Sequence, residues 1–308
     1  MMNHEVGPIP ERMRRNILLY FGESGRDWLA GLNTLIAETA ARWAISLEQP
    51  FANLSINYVA PATRADGTQV VLKAGVPNRE ILTEIVALRR FDGHGAVKLL
   101  EADAGRGVML LERLLPGTSL LALEDDAEAV GIAAEMMRKL RAPVPPEHSF
   151  PSVGDWFAGL ARVRERFGGS SGPLPAGLFA LAEQVCARLL ASMDEAVLLH
   201  GDLHQDNIVK SARDSWLAID PKGVVGEPAY EACAFLRNPL PQLLTEMDTR
   251  QVLARRVEQF CELLGFDRRR LIGWGLCEAV LSASWEIDDA SGSWKEAFAI
   301  AEIYARML

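Results

Sequence analysis

The period of the hydrophobic positions changes along the chain, and these changes predict two regions of different structure. Apolar side chains in residues 27–43 recur at near-helical spacing, which predicts an amphipathic helix. A second helical pattern at residues 79–91 lies among five strand-like runs, at residues 44–47, 56–61, 69–74, 97–102 and 108–112. An Asp-Gly pair at residues 66–67 predicts a hairpin turn between the second and third runs. This first region therefore reads as a five-stranded antiparallel sheet with helices.

The pattern becomes mostly helical after the Pro116-Gly117 pair, which breaks the preceding strand. Helical spacing predicts seven helices, at residues 124–140, 155–167, 177–193, 228–236, 249–264, 268–285 and 294–306. Residues 168–175 are rich in Gly, Ser and Pro and predict a loop between two of these helices. We therefore predict two lobes, residues 1–114 and residues 115–308.

One charged residue interrupts the apolar strand at residues 69–74. Lys73 lies in the run Val70-Val-Leu-Lys-Ala74, where a charge is costly unless an anionic group accompanies it. The helix predicted next carries Glu80 and Glu84 one turn apart, and either carboxylate could pair with Lys73. The alternative partner is the phosphate of a ligand.

Residues 198–223 contain three polar groups at the ends of short strand-like runs. Asp202 and Asn207 are five residues apart, and a hairpin formed by residues 208–210 and 216–219 would bring Asp220 beside Asn207. Magnesium prefers oxygen ligands, and Asn207 and Asp220 offer an amide and a carboxylate. Asp202 is then left to orient or accept the proton of a hydroxyl group, so the stretch predicts phosphoryl transfer.

Two plainer interpretations compete for the same stretch. His200 and His204 have the spacing of a zinc helix, but Gly201 disfavours a helix and the Glu of a His-Glu-x-x-His motif is missing. Asp and Asn at loop ends often serve only turns or helix caps. Asp220 on the predicted hairpin and Lys73 in the upstream strand together favour a phosphoryl-transfer site over these two interpretations. A P-loop enzyme is excluded by motif, because the chain has no Gly-x4-Gly-Lys-Ser/Thr.

The segments His200-Gly-Asp-Leu-His-Gln-Asp-Asn207 and Ile219-Asp-Pro-Lys-Gly223 resemble the aminoglycoside phosphotransferase branch of the protein-kinase-like fold. The longer string at residues 219–231 resembles the streptomycin 6-kinase and hydroxyurea kinase group of that family. The resemblance implies an α+β, bilobal protein-kinase-like fold, with a small antiparallel-sheet N-lobe and a mostly helical C-lobe. It also implies ATP and Mg²⁺ as cofactors, with ATP between the lobes.

Residue roles follow from this resemblance as expectations. Lys73 would hold the ATP phosphates, and Glu84 would hold Lys73 because the family carries this Glu ahead of an Ala-Leu pair, here Ala87-Leu88. Asn207 and Asp220 would bind magnesium, and Asp202 would be catalytic. Contacts to adenine are expected near Glu112 and Leu114. The loop at residues 50–55 has no glycine, so the phosphate contact there is assigned to Ser55 or Asn53.

The same resemblance favours a small acceptor. Gly201 replaces the Arg of the protein-kinase His-Arg-Asp motif, and only seven residues separate Asp220 from Pro228, which leaves little room for an activation segment. Lys222 departs from Asp-Phe-Gly and is either a phosphate contact or a surface residue. The candidate acceptor carboxylates lie on the helical lobe near Trp285 and are Asp155, Glu231, Glu286, Asp288 and Asp289. They would suit a polycationic aminocyclitol such as streptomycin.

Composition and charge narrow the functional classes that fit the chain. The chain has 308 residues with 41 acidic and 32 basic side chains, and its charge of -9 argues against a nucleic-acid surface and mildly favours a cationic ligand. Four scattered cysteines suggest free thiols in the cytoplasm. Residues 1–10 lack a signal-peptide core, and Glu278 interrupts the longest apolar stretch, so no membrane association is expected. We expect a monomer or dimer.

Two alternatives stay open. The first is a kinase for hydroxyurea or another small metabolic alcohol. The second is a catalytically idle, nucleotide-binding pseudokinase, although Lys73, Asp202, Asn207 and Asp220 occurring together speak against it.

Overall fold

The structure is a computed structural model that describes residues 9–193, 195–245, 248–287 and 293–308. The chain divides into two compact units, and the boundary falls between Gly117 and Thr118. The first unit combines a sheet with two helices, and the second is mostly helical. The α+β class predicted from the sequence is confirmed.

The first unit contains one five-stranded antiparallel sheet. Its elements in chain order are α1 (Glu11–Arg42), β1 (Ile45–Leu47), β2 (Tyr58–Arg64), β3 (Gln69–Ala74), α2 (Arg79–Phe91), β4 (Leu99–Asp103) and β5 (Val108–Glu112). The strands lie in the order β1-β2-β3-β5-β4. In the central strand β3, Lys73 is opposite Val59 of β2 and Met109 of β5.

Helix α1 is longer than the sequence pattern predicted. It begins at Glu11, whereas we predicted residue 27, and it is kinked at Gly22, where φ is +54° and ψ is -122°. The segment before the kink is helical because Met13 and Ile17 occupy one buried face at a spacing of four. That face packs on the sheet in a single apolar cluster, to which β3 contributes Val70, Leu72 and Ala74. Since side chains alternate along a strand, Lys73 lies on the opposite face of the sheet.

Local polar contacts explain where α2 and the first hairpin begin and end. Asn78 caps α2 by accepting a hydrogen bond from Ile81 N at 2.9 Å, and the helix spans the range that periodicity predicted. In the hairpin between β2 and β3, Thr68 N donates to Asp66 Oδ1 at 2.8 Å. Gly67 has φ +86°, which glycine adopts without steric cost.

The second unit carries the remaining elements, of which β6 (Pro116–Ser119) spans the boundary. The helices are α3 (Asp126–Leu140), α4 (Val153–Arg166), α5 (Ala176–Ala191), α6 (Ala232–Arg237), α7 (Gln242–Thr245), α8 (Thr249–Leu264), α9 (Arg268–Trp285) and α10 (Trp294–Met307). The short strands are β7 (Ala142–Pro143), β8 (Val197–Leu199), β9 (Ile208–Ser211), β10 (Trp216–Ala218) and β11 (Val224–Gly226). Strand β8 pairs antiparallel with β7 and β11, and β9 pairs with β10.

Helix α9 forms the centre of the second unit. It is buried on all sides, and α5, α6 and α10 pack around it. Its buried Glu278 is neutralised by Arg237 of α6, whose Nε and Nη2 lie 3.0 Å from the two carboxylate oxygens. Among the described residues, none of the helices combines the length and the apolar character that crossing a membrane requires.

Candidate active site

A tight loop, residues 200–207, connects β8 to β9 and carries the predicted catalytic residue. Its turn depends on Gly201, which has φ +85°. A Cβ atom at Gly201 would lie 2.8 Å from Val224 Cγ1 and 3.0 Å from Trp156 Cη2. Only glycine therefore lets the loop pass this close to β11 and α4.

His200 is fully buried and holds the loop through its ring. Its Nδ1 accepts a hydrogen bond from Asp202 N at 3.2 Å, so its Nε2 carries the proton and donates to Ile219 O at 2.8 Å. Burial lowers the pKa of His200 to about 4, although the nearby Asp202 and Asp220 oppose this effect. The imidazole is therefore neutral at pH 7. Both ring nitrogens are occupied, so the zinc interpretation of His200 and His204 is wrong.

Asp202 and Asn207 lie at the two ends of the loop and are linked. Asn207 Nδ2 donates to the backbone oxygen of Asp202 at 2.8 Å, which orients the amide and leaves Asn207 Oδ1 as the atom suited to a cation. The Asp202 carboxylate is half-buried, and its Oδ1 is 3.9 Å from His204 Nε2. The loop thus presents one carboxylate and one amide oxygen.

The hairpin of β9 and β10 brings Asp220 to the same place. Ile219 N donates to Asn207 O at 2.9 Å, and Lys222 N donates to His200 O at 2.8 Å. Asp220 lies between these two contacts with φ +59°, a left-handed conformation that is uncommon for a non-glycine residue. Amide and carboxylate oxygens are donors of the kind that Mg²⁺ takes together with phosphate oxygens and water, and the binding of the ion by Asn207 and Asp220 stays a prediction.

Glu231 anchors the loop from the opposite side. Its carboxylate is buried and accepts hydrogen bonds from His200 N at 2.6 Å and Gly201 N at 2.9 Å. Burial raises the pKa of Glu231 to about 7, and the two hydrogen bonds limit that rise. Our prediction that Glu231 contacts the acceptor is wrong, because both of its oxygens are turned onto the backbone of the loop.

Lys73 and Glu84 form a buried ion pair in the first unit. Lys73 Nζ lies 2.6 Å from Glu84 Oε1, and the two side chains are 3% and 8% exposed. Glu80, the other candidate partner, is exposed on α2. A buried cation is stable only when it is paired, so Glu84 explains how a Lys is tolerated in β3. That both residues serve a nucleotide stays a prediction.

The other residues predicted to contact the nucleotide lie in the first unit with contacts of their own. Ser55 Oγ accepts a hydrogen bond from Asn16 Nδ2 of α1 at 3.3 Å. Glu112 N donates to Lys98 O at 3.0 Å, so this N–H is not available to adenine. Leu114 is half-buried and follows the end of β5. The roles of Ser55 and Leu114 stay predictions.

The remaining acceptor candidates separate into three groups. Asp155 is a capping residue of α4, because its Oδ2 accepts from Ser152 N at 2.7 Å while Asp155 N donates to Ser152 Oγ at 3.0 Å. The cap gives Asp155 a structural role, and its contact with the acceptor stays a prediction. Glu286 is half-buried at the end of α9, and its role stays a prediction. Asp288 and Asp289 lie outside the described residues.

Sequence reasoning assigned Glu231 to the wrong role and did not name Arg256 at all. Glu231 lies in the apolar run Pro228-Ala-Tyr-Glu-Ala-Cys-Ala-Phe235, a setting as costly for a charge as that of Lys73, and this signal could have identified it. Arg256 is 2% exposed and lies 2.6 Å from Asp126, and it also donates to Asn238 O at 2.7 Å. Gln205 of the loop donates to the same Asn238 oxygen, at 3.0 Å.

Comparison with known proteins yields a consistent set of matches. A family model described as aminoglycoside/hydroxyurea antibiotic resistance kinase matches residues 42–290. Streptomycin 6-kinase of Streptomyces glaucescens is 33% identical over 303 residues, which are 95% of each chain. Hydroxyurea phosphotransferase of Kitasatospora aureofaciens is 36% identical over 304 residues, covering 97% of this chain and 86% of that one.

A solved structure agrees in fold. An aminoglycoside phosphotransferase in ternary complex with ADP and hygromycin B matches with a TM-score of 0.60 at 14% identity, covering 87% of this chain and 97% of that one. The kinase-like fold predicted from the sequence is confirmed.

Proposed function

Because this chain belongs to the aminoglycoside/hydroxyurea antibiotic resistance kinases, we propose that it transfers the γ-phosphoryl group of ATP to a hydroxyl group of a small cationic molecule. The chain is a small-molecule kinase. To this we add three points: ATP is the donor, Mg²⁺ is the cofactor and the acceptor is cationic. The observation that carries them is the loop at residues 200–207, where the Asn207 side chain is bonded to Asp202 O and the neighbouring Ile219 N, next to Asp220, is bonded to Asn207 O.

The nucleotide and its metal would be bound by Lys73, Glu84, Asn207 and Asp220. Lys73 would bind the phosphates, and Glu84 holds the Lys73 ammonium in one place at 2.6 Å. Asn207 Oδ1 and the Asp220 carboxylate would hold Mg²⁺. The ion, when bound, neutralises negative charge on the phosphates.

Asp202 would act on the acceptor hydroxyl. A carboxylate at this position can accept the hydroxyl proton or align the oxygen with the phosphorus. His200 is neutral and donates to Ile219 O, so its role is to hold the backbone of Asp202 and not to transfer a proton. Catalysis then depends on positioning and on charge, with little covalent chemistry by the protein.

Two observations support a cationic acceptor. The relative from Streptomyces glaucescens is a streptomycin 6-kinase, and streptomycin is polycationic. The chain carries a formal charge of -9, which attracts cations to its surface. Hydroxyurea is the second candidate acceptor, because the hydroxyurea phosphotransferase from Kitasatospora aureofaciens is 36% identical to this chain.

The test is a transfer assay with purified protein, ATP and Mg²⁺. Streptomycin, hydroxyurea and a neutral sugar are compared, and the phosphorylated product is identified by mass spectrometry, with Asp202→Ala as the inactive control. We expect turnover with streptomycin, abolished by chelation of Mg²⁺, and a kcat/KM that falls as ionic strength rises.

The outcomes separate the two parts of the proposal. Transfer to hydroxyurea alone, with no salt dependence, would retain the kinase and reject the cationic acceptor. ATP binding without transfer to any acceptor would favour the idle pseudokinase.

A further inference from the structure

His204 has a ring nitrogen that the loop at residues 200–207 does not use for its own structure. Its other nitrogen, Nδ1, accepts a hydrogen bond from Asp206 N at 3.3 Å and so caps the short 3-10 helix Gln205–Asn207. In the neutral ring one nitrogen accepts and the other carries the proton, so the proton is on Nε2. His204 therefore presents an N–H donor that capping does not require.

This N–H faces the carboxylate of Asp202. His204 Nε2 lies 3.9 Å from Asp202 Oδ1, which is beyond hydrogen-bond distance, and the two side chains are 21% and 31% exposed. The hydrogen bonds that Asp202 makes with other described residues all involve its backbone N and O. A donor and a carboxylate oxygen thus flank one gap that solvent can reach.

The backbone fixes these two side chains relative to each other. His204 N donates to Asp202 O at 3.1 Å across a turn of three residues, and Asn207 Nδ2 donates to the same oxygen at 2.8 Å. Leu203, between Asp202 and His204, is fully buried and anchors the turn in the core. The separation of the two groups is therefore set by the framework of the loop.

The gap has the width for one oxygen atom. Two atoms 3.9 Å apart can both reach a third atom that lies about 2.8 Å from each. A hydroxyl group suits this position, because it has one proton to donate and two lone pairs that accept. Its proton would point to Asp202 Oδ1 and one lone pair to His204 Nε2, which leaves the second lone pair for the phosphorus atom.

We propose that His204 is a second residue that contacts the acceptor hydroxyl, and that its Nε2–H sets the direction from which this oxygen attacks. The hydroxyl proton passes to Asp202 while the new O–P bond forms and the bond from the γ-phosphorus to its bridging oxygen breaks. ADP leaves with the electron pair of that bond, and His204 keeps its proton. Without His204 the hydroxyl can rotate about its bond to Asp202, and fewer of its orientations are reactive. This inference rests on the proposed function and adds a residue to its acceptor step.

Two substitutions separate this contact from the cap. His204→Asn keeps an acceptor for Asp206 N, because Asn is a preferred capping residue, but it has no donor at the position of Nε2. With streptomycin or hydroxyurea, whichever the transfer assay identifies, it should lower kcat about 10- to 100-fold, the scale of a misaligned reacting group, at an unchanged urea midpoint of unfolding. His204→Gln carries an N–H that reaches as far as Nε2, and kcat should stay within about threefold of wild type.

Hydrolysis of ATP supplies a second readout that does not depend on the identity of the acceptor, because water can take the position of the hydroxyl group. Its rate should fall by a similar factor in His204→Asn, while the KM for ATP stays within about twofold of wild type. The matched control is His148→Asn, since His148 is exposed in the same unit and its ring stacks on Phe150 at 5.9 Å between centroids. This variant should have the kcat of wild type.

Two results would overturn the inference and retain the kinase. One is a folded His204→Asn protein with wild-type kcat and wild-type ATP hydrolysis. The other is an equal loss of kcat in His204→Asn and His204→Gln, which would mean that the ring supports the fold and does not act as a donor. A wild-type protein that hydrolyses no ATP and transfers phosphate to neither streptomycin nor hydroxyurea would instead reject the proposed function, and this inference with it.

Discussion

Replacement of Glu231 by Gln tests how the loop at residues 200–207 is held. The carboxylate accepts from His200 N at 2.6 Å and Gly201 N at 2.9 Å. Gln has nearly the same shape but only one side-chain oxygen, so its amide NH₂ would face one of these two N–H groups. An unpaired buried N–H costs about 1–3 kcal/mol. We expect this loss of unfolding free energy near pH 5, together with a lower kcat because the loop shifts.

The pH dependence of stability gives a sharper expectation. Burial raises the pKa of Glu231 from 4.5 to about 7, so the folded protein binds this proton more tightly than the unfolded chain does. The resulting stability is fully present below pH 4.5 and is lost as the pH rises through about 7. A difference of about 2.5 in pKa corresponds to about 3 kcal/mol. Gln does not titrate and lacks this contribution.

The assay is urea denaturation of wild type and Glu231→Gln at a series of pH values between 4.5 and 8. The stability advantage of wild type should shrink by about 3 kcal/mol across this range. Titration of His200 occurs in both proteins and largely cancels in the difference. A difference that stays constant with pH would refute the buried, proton-binding role that we assign to Glu231.

The remaining predictions concern the Lys73–Glu84 pair and the loop at residues 200–207. Asp202→Ala should lower kcat about 100-fold or more while calorimetry still detects ATP binding, and near-normal turnover would remove Asp202 from its role. Lys73→Ala and Glu84→Ala should each impair kcat/KM for ATP, and the double variant should be far less than additive in steady-state kinetics. An additive result would mean that the pair does not act as a unit. Gly201→Ala should cost about 1–3 kcal/mol in urea denaturation, because φ is +85° and the new Cβ would lie 2.8 Å from Val224 Cγ1. The control Gly131→Ala, in an open position of α3, should be neutral or stabilising.

Long periodic segments and contiguous motifs were the predictable part of this protein. Helices α2, α8 and α9 have the bounds that the spacing of their apolar residues predicted. The hairpin of β9 and β10 places Asp220 beside Asn207 because two short apolar runs flank a polar turn. The start of α1 was missed because exposed Leu18, Leu19 and Tyr20 obscure its buried face.

The features that could not be predicted depend on contacts between segments that are distant in the sequence. Strands β8 and β11 have only three residues each, and such short apolar runs do not reveal whether they pair. Asp155 and Glu231 appeared equivalent as carboxylates in the helical lobe. The fold uses Asp155 as an exposed helix cap and buries Glu231 against a loop 30 residues away. Burial of this kind depends on tertiary packing, which periodicity alone does not contain.

The short connection between Asp220 and β11 has a consequence for how cells could control such an enzyme. Pro221, Lys222 and Gly223 are the whole of it, and the N–H groups of Lys222 and Gly223 are bonded to His200 O. A modifying enzyme would find no length of chain there to order or release. A switch that works by ordering or releasing a segment directly after Asp220 is therefore not built into this connection.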